Sequence, residues 1–122
     1  MTYVEGFVVP VPKKKLAAYR AMAKKVGKVF MDHGALTYVE CVADDVKVGK
    51  RTSFPRSVKL KSGETVVFAW ITFKSRAARD RILDQVSKDK RSAAMMNPAA
   101  FPFDGKRMIF GGFKSFLELR SA

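Results

Sequence analysis

The run from Glu64 to Phe73 (ETVVFAWITF) is almost continuously apolar and is rich in β-branched and aromatic residues. A strand with one face in water would alternate polar and apolar side chains, because successive side chains point to opposite faces of a sheet. This run lacks that alternation. We therefore predict a strand that is buried on both faces, within a sheet whose two sides are both covered.

Three other segments have the composition of strands: Tyr3 to Val11, Leu36 to Asp44 and Arg107 to Leu119. Pro12 interrupts the first of these strands and is suited to the start of a helix. Asp104-Gly105 predicts a turn immediately before the last strand. The sequence therefore predicts four strands in all.

Two segments have helical periodicity. From about Lys14 to His33, apolar residues recur at intervals of three and four, and basic residues lie outside the stripe they form. Gly34 is suited to end this helix. Ser75 can cap a second helix, predicted to run to about Ser87. The predicted buried stripes are Leu16, Tyr19, Ala23, Val26 and Phe30 in the first helix and Ala78, Ile82 and Val86 in the second.

The predicted order is strand, helix, strand, strand, helix, strand, which is the order of the ferredoxin-like fold. We predict a single α+β domain over residues 1–122, with two helices on one face of a four-stranded antiparallel sheet. Two segments are additional, a basic insertion at about 46–63 and a turn-rich connector at about 90–103. The connector is expected to fold over an opening or a partner, because it carries the apolar residues Met95, Met96, Phe101 and Phe103.

The side chains of each predicted strand divide into two sets by parity. One set is mostly small, and we expect it to face the helices; it comprises Val4, Gly6, Val8, Val39, Cys41, Ala43, Val67, Ala69, Ile71, Ile109, Gly111 and Phe113. The other is large and aromatic; it comprises Tyr3, Glu5, Phe7, Tyr38, Glu40, Val42, Phe68, Trp70, Thr72, Met108, Phe110 and Gly112. Because no helix remains to cover the second set, we predict a homodimer in which two such sheet faces pack together.

Glu5 and Glu40 are the carboxylates of the aromatic set, and a buried carboxylate needs a partner. On one interpretation they form structural ion pairs or lie at the rim of the interface. On the other they belong to a pocket that binds or transforms a small molecule without a tightly bound cofactor. The candidate pocket residues are Glu5, Tyr38, Glu40, Trp70 and Arg107.

His33 and Cys41 are the only histidine and the only cysteine of the chain. We predict His33 at a helix end and Cys41 in the middle of a strand on the helix-packed face, so the two are poorly placed to act as base and nucleophile. One histidine and one cysteine are also too few for the usual nitrogen and sulfur ligands of a metal. We expect no metal site, no membrane-spanning segment and a cytoplasmic location.

The net charge of +13 favours an anionic partner such as RNA. In the insertion, basic residues surround an aromatic residue, an arrangement that can hold phosphates and stack a base. The candidate nucleic-acid contacts are Lys47, Lys50, Arg51, Phe54 and Arg56. One alternative is a solvated charged surface, since the aromatic motif of RNA-recognition domains is absent from the sequence. A purely structural or interaction role is a third hypothesis.

Four segments resemble the bacterial YbaA-like family of uncharacterised proteins. They are YVEGFVVPVPKKKL at 3–16, HGALTYVECVADDV at 33–46, TSFPRSVKLKSGETVVFAWI at 52–71 and FDGKRMIFGGF at 103–113. The resemblance implies a dimeric α/β barrel, which is a ferredoxin-like variant, and it implies no reaction and no catalytic residues. We therefore expect a homodimer of unknown activity, with small-molecule binding or cofactor-free catalysis as the leading hypothesis.

Overall fold

The computed structural model describes residues 2–93 and 101–122. In this part of the chain four strands form one sheet: β1 (Tyr3–Pro12), β2 (Thr37–Val42), β3 (Glu64–Phe73) and β4 (Ile109–Lys114). The strand order is β2-β3-β1-β4, and every neighbouring pair is antiparallel. Strand β3 lies in the interior of the sheet, but the predicted burial of both its faces is not met within this chain, because Phe68 is 43% exposed.

The helices lie between these strands in the predicted order. A short 3-10 turn (Lys13–Lys15) leads into α1 (Leu16–Asp32), and α2 (Phe54–Ser57) lies between β2 and β3. Helix α3 (Arg76–Lys88) follows β3, and the single turn α4 (Lys90–Ala93) follows α3. Helices α1 and α3 pack on the same face of the sheet. The predicted ferredoxin-like fold is confirmed. Within residues 2–93 and 101–122, we find no helix with both the length and the apolar character to cross a bilayer.

Helix α3 begins and helix α1 ends at the capping residues predicted for them. The Ser75 hydroxyl accepts a hydrogen bond from the backbone N–H of Ala78 (3.1 Å). At the end of α1, Gly34 has a φ of +107°. The backbone N–H groups of Gly34 and Ala35 donate to the carbonyls of Met31 and Phe30, each at 3.1 Å. This is a Schellman motif, which favours glycine because glycine has no Cβ to clash at positive φ.

The prediction of which strand side chains face the helices is right for β3 and wrong for the other three strands. In the pairing register Glu5 lies beside Ile71, and Phe7 lies beside Ala69. This face also carries Tyr38 and packs against α1 and α3. The large set of β1, β2 and β4 therefore faces the helices, whereas on β3 the small set faces them.

Two physical reasons explain this correction. The size of a side chain does not decide which face a helix covers, because helices can pack over aromatic rings and leave a cavity between them. In addition, β3 is mostly apolar on both sides, so its composition does not show how its two faces align with those of the other strands.

The opposite side of the sheet, here called the open face, is uncharged over most of its area. It comprises Val4, Gly6, Val8, Pro10, Thr37, Val39, Cys41, Val66, Phe68, Trp70, Thr72, Ile109, Gly111 and Phe113. Glu64, at the start of β3, is the one charged residue among the strand residues of this side, and it pairs with Arg107. Phe113 is 65% exposed. Cys41, predicted in the helix-facing set, is instead exposed on the open face.

Strand β4 is shorter than the predicted strand from Arg107 to Leu119. It ends at Lys114 because its partner β1 begins at Tyr3, which pairs with Lys114. Glu118, beyond the strand, accepts a hydrogen bond from the backbone N–H of Thr2 (2.9 Å). The C-terminal tail is thus held to the start of β1 by side-chain contacts and by one further backbone hydrogen bond, from the N–H of Ser115 to the carbonyl of Thr2 at 3.2 Å.

The basic insertion folds back onto one end of the open face. Val58, which follows α2, is 1% exposed and packs with Val8 and Val66. The insertion therefore buries apolar surface of its own, in addition to carrying its basic side chains.

The described end of the connector packs beside α1. The rings of Phe101 and Phe103 stack with their centroids 5.3 Å apart, and Phe103 meets the ring of Tyr19 edge-on at 5.6 Å. Met95 and Met96 lie outside the described residues.

Candidate ligand-binding cavity

A cavity of about 360 Å³ lies between the helix-facing side of the sheet and helix α1. Its polar side chains are Glu5, Tyr19, Tyr38 and Glu40. The remainder of its lining is apolar and comprises Phe7, Val9, Met22, Val26, Phe30, Ala69, Trp70, Ile71, Leu83, Phe103, Met108 and Phe110. The cavity therefore has a small number of polar groups in an apolar, largely aromatic wall, as ligand sites usually do.

Two tyrosines hold the Glu40 carboxylate at this wall. The hydroxyl of Tyr19 donates to Oε1 of Glu40 at 2.5 Å, and the hydroxyl of Tyr38 donates to Oε2 at 2.8 Å. Tyr38 and Glu40 are two residues apart on β2 and so lie on the same face of the sheet. Tyr19 reaches them from the buried stripe of α1, which packs beside β2.

Both tyrosines keep their protons over a wide pH range. Burial raises the pKa of Tyr19 and of Tyr38 above the usual value for tyrosine, and the hydrogen bond to Glu40 and its negative charge raise both further. Each hydroxyl therefore remains a donor. Because each carboxylate oxygen can accept more than one hydrogen bond, Glu40 keeps acceptor capacity for a bound molecule.

Glu40 forms no salt bridge within residues 2–93 and 101–122. Residues 1 and 94–100 contain no lysine, arginine or histidine in the sequence. The donors that the structure shows for this carboxylate are neutral hydroxyl groups, so its negative charge is not balanced by a described cation.

Glu5 is held differently, in a structural ion pair. It is 5% exposed, and its Oε1 accepts a hydrogen bond from Nη1 of Arg79 at 2.5 Å. The Arg79 guanidinium lies over the ring of Tyr3, 4.9 Å from its centroid, and Nε donates to Asp80 at 2.7 Å. The charge of Glu5 is thus balanced from α3, as one of the two interpretations of the sequence predicts.

A second cavity of about 310 Å³ lies on the outer side of the Tyr19–Glu40 pair. It is a groove between α1 and the edge strand β2, and it is lined by Leu16, Tyr19, Arg20, Ala23, Glu40, Cys41, Val42 and Val67. Because Tyr19 and Glu40 line both spaces, their hydrogen bond separates the interior cavity from the groove.

Four of the five predicted pocket residues border the interior cavity: Glu5, Tyr38, Glu40 and Trp70. Trp70, however, belongs to the open face by register, and its ring packs against Phe68 with the centroids 5.5 Å apart. Trp70 therefore borders the cavity from its strand, while its indole packs on the open face rather than forming the predicted wall. The cavity also lies beneath the helices of one chain, whereas the sequence predicted it between two sheets.

Arg107 does not reach the cavity lining, so its predicted role there is wrong. Its guanidinium binds both oxygens of Glu64, at 2.8 and 2.6 Å, and donates through Nε to Asp104 at 3.0 Å. Those hydrogen bonds raise the pKa of Arg107 and lower the pKa of Glu64 and of Asp104. The contacts join the start of β3 to the turn before β4, which is a structural role.

The sequence interpretation missed Tyr19 and Arg79 as partners of the two carboxylates. Tyr19 belongs to the predicted buried stripe of α1, and its hydroxyl is the one hydrogen-bonding group in that stripe. A buried hydroxyl usually has a polar partner, so the sequence does carry a signal for this contact. Arg79 carries no comparable signal, because it is one of many arginines on a basic helix.

The candidate nucleic-acid residues do not form one free basic surface. Arg56 donates from Nε and Nη2 to the carbonyl of Gly49 at 3.1 and 2.8 Å, and so stabilises its own loop. Phe54 packs edge-on against Phe68, with the ring centroids 5.6 Å apart. Lys47, Lys50 and Arg51 are exposed.

The histidine and the cysteine of the chain have separate surroundings. Nε2 of His33 is hydrogen-bonded to Asp89 at 2.9 Å, while Cys41 lies exposed on the open face. Among the described residues, no three His, Cys, Asp or Glu side chains lie close enough together to hold a metal ion.

The fold places the chain in the class of ferredoxin-like α+β domains. Within this class, the family described as "Protein of unknown function (DUF1428)" matches residues 2–105. The chain is 47% identical over 118 residues to the uncharacterized protein YbaA of Escherichia coli (strain K12), an alignment that covers 97% of this chain and 99% of YbaA. The YbaA protein of Shigella flexneri matches to the same extent. The chain therefore belongs to the DUF1428 family, and the resemblance of its segments to YbaA is confirmed.

One solved structure with a similar fold is that of Rv0793 from Mycobacterium tuberculosis. The two chains superpose with a TM-score of 0.58 over 98% of this chain and 100% of Rv0793, at 12% sequence identity. At that identity the likeness supports the ferredoxin-like fold and nothing about activity.

Proposed function

We propose that this protein binds a small, mostly apolar molecule in the interior cavity, with Glu40 as its polar anchor. The observation that carries the proposal is the carboxylate held by Tyr19 and Tyr38 at the wall of a cavity of about 360 Å³. This volume lies within the range of roughly 300–1,000 Å³ that is common for ligand sites.

The packing of the domain supports this proposal. Protein interiors are close-packed, and an apolar space of this size leaves the surrounding side chains without contacts on one side. A bound molecule would supply those contacts. Among the titratable side chains of the lining, Glu40 is the one that could accept a proton without first breaking an ion pair. Cofactor-free chemistry in this cavity would therefore begin at the Glu40 carboxylate.

We infer that the ligand enters through the groove between α1 and β2. The Tyr19–Glu40 hydrogen bond lies between this groove and the interior cavity, and rotation of the Tyr19 side chain would connect the two. Entry by this route requires no separation of strands.

Filling the cavity provides a direct test. Ala69 is buried, lies on the helix-facing side beside Phe7, and lines the cavity, so Ala69→Leu should occupy space that the ligand needs. Small molecules extracted from wild-type protein purified from cells, and identified by mass spectrometry, should be absent from this variant. The control is Ala77→Leu at an exposed position of α3, which should retain them. Equal recovery from both variants, with both folded, would contradict the proposal.

We also propose that two copies associate through their open faces. This surface is mostly apolar, and its one charged strand residue, Glu64, is paired with Arg107 in a chain of net charge +13. It therefore suits an equally apolar surface better than an acidic partner. A second copy offers that surface by symmetry. We also propose a cytoplasmic location, since the chain has one cysteine and so forms no internal disulfide, as is usual in reducing compartments.

Two phenylalanines allow a matched test of this association. Phe113 lies on the open face and Phe116 lies in the C-terminal tail, and both are well exposed, at 65% and 88%. Sedimentation should show a dimer for the wild type and for Phe116→Lys, and a monomer for Phe113→Lys. A wild-type monomer at micromolar concentration would refute the dimer and leave the cavity proposal unaffected.

A further inference from the structure

We propose that the ligand is a cationic amine with an apolar body. This inference rests on the proposed function, and it adds the chemical class of the molecule. Its basis is the charge of the cavity: Glu5 is balanced by Arg79, whereas Glu40 has only neutral hydroxyl donors among the described residues.

A partly buried carboxylate is stabilised most by a cation, because a hydrogen bond between two charged groups is stronger than one between neutral groups. Glu64 follows this rule within the same chain, since its carboxylate is paired with Arg107. Arg20 lines the outer groove beside Glu40 but forms no salt bridge with it. An ammonium group on the ligand would supply the counter-charge that the described residues leave out.

The aromatic rings around Glu40 favour the same charge. Tyr19 meets Phe103 at 5.6 Å between centroids, and Tyr38 meets Phe30 at 6.0 Å, so each tyrosine that holds the carboxylate belongs to an aromatic pair. The faces of aromatic rings attract cations within about 6 Å of their centroids. Rings in the same lining as the carboxylate could thus add to the attraction of an alkylammonium group.

The cavity disfavours other classes of ligand. Its described lining contains two carboxylates and no lysine, arginine or histidine, so an anionic ligand would meet like charge without a free cation. A neutral alcohol could donate a hydrogen bond to Glu40 but would leave its charge unbalanced. The apolar remainder of the lining requires that the rest of the molecule be hydrocarbon or aromatic.

Three probes that differ in charge test this inference: 2-phenylethylamine, 2-phenylethanol and 3-phenylpropanoate. We expect calorimetry near neutral pH and about 0.15 M salt to show the amine binding at least about tenfold more tightly than the alcohol, with the carboxylate weakest. In Glu40→Gln the preference for the amine should fall below about threefold, because the charge is removed while the shape is kept. The control Asp45→Asn, an exposed carboxylate beyond β2, should keep the wild-type preference.

The outcomes separate the inference from the function on which it rests. If the alcohol binds wild-type protein as tightly as the amine, the assignment of an amine is wrong and binding in the cavity stands. If none of the three probes binds, both proposals fail. The comparison among probes needs only wild-type protein, so it holds even where Glu40→Gln does not fold.

Discussion

Replacing Arg107 with methionine should destabilise the fold and leave the cavity intact. The guanidinium makes two hydrogen bonds to Glu64 and one to Asp104, and it also donates to the carbonyl of Lys59 at 3.1 Å. It thereby joins β3, the turn before β4 and the end of the basic insertion. Methionine keeps much of the apolar stem and removes all of these donors.

The magnitude follows from the burial of the pair. The side chains of Arg107 and Glu64 are 13% and 9% exposed. Removing one partner of a buried ion pair costs about 3–5 kcal/mol. Glu64 keeps a hydrogen bond from the backbone N–H of Lys61 at 2.7 Å, which lessens the loss. Asp104 is 40% exposed, so its share is small. We expect the free energy of unfolding to fall by about 2–3 kcal/mol, and Tm to fall by roughly 10 °C.

The loss should depend on pH in a defined direction. Hydrogen bonds from Arg107 lower the pKa of Glu64 and of Asp104 in the folded state. A lowered carboxyl pKa contributes stability that is present above the unfolded value, near about 4, and that is lost as the pH falls through the folded value. The difference between the wild type and Arg107→Met should therefore be full near neutral pH and shrink below about pH 4.

Urea unfolding at neutral and acidic pH measures both effects. The control is Arg120→Met, because Arg120 is 81% exposed and makes one long hydrogen bond of 3.5 Å to Glu118. That variant should stay within about 0.5 kcal/mol of the wild type. A loss below about 1 kcal/mol at neutral pH would refute the structural role. Unchanged stability with loss of ligand binding would instead support the pocket role that the sequence predicted for Arg107.

Three further predictions concern the cavity wall and the open face. Gly27→Ala should lower Tm, although alanine favours helix by about 1 kcal/mol. The new Cβ would lie 2.8 Å from Cδ1 of Tyr38, and the ring of Tyr38 is held between Phe30 and Glu40, so it cannot easily move away. In an absorbance titration Tyr19 and Tyr38 should remain protonated above pH 10, because their pKa values are raised in the folded protein. The stability that these raised pKa values contribute is full below about pH 10 and should be lost as the pH rises further. Glu40→Gln should lower the pH at which both tyrosines ionise. Added salt should strengthen the proposed dimer, because salt screens the repulsion between two chains that each carry a net charge of +13. A dimer that salt weakens would instead indicate a polar interface.

The topology could be predicted because local signals agree with the global fold. The spacing of apolar residues predicted α1, and the Gly34 and Ser75 caps lie where the chain reverses or enters a helix. The composition of Glu64 to Phe73 predicted a strand, and β3 spans this run. These features depend on residues close in sequence, so the sequence carries them directly.

The two faces of the sheet could not be assigned in the same way. Parity divides the residues of one strand, but the relation between strands depends on register, which is a long-range property. In β3 both parities are apolar, so nothing in the run indicated that Ala69 rather than Trp70 would lie beside Phe7 and Glu40. The partner of Glu5 could not be predicted either, because Arg79 lies 74 positions away in the sequence.

The different partners of Glu5 and Glu40 follow from the order of the strands. Glu5 lies on β1, an interior strand, where α3 supplies Arg79 and closes an ion pair. Glu40 lies on β2, at the edge of the sheet, where the stripe of α1 above it supplies Tyr19. Two carboxylates on the same face of one sheet thus differ in character. Glu5 is paired with a cation and is structural, whereas Glu40 has only neutral hydroxyl donors among the residues that the structure describes. The edge position also places Glu40 at the groove, so of the two carboxylates it is the one that the proposed ligand would meet there.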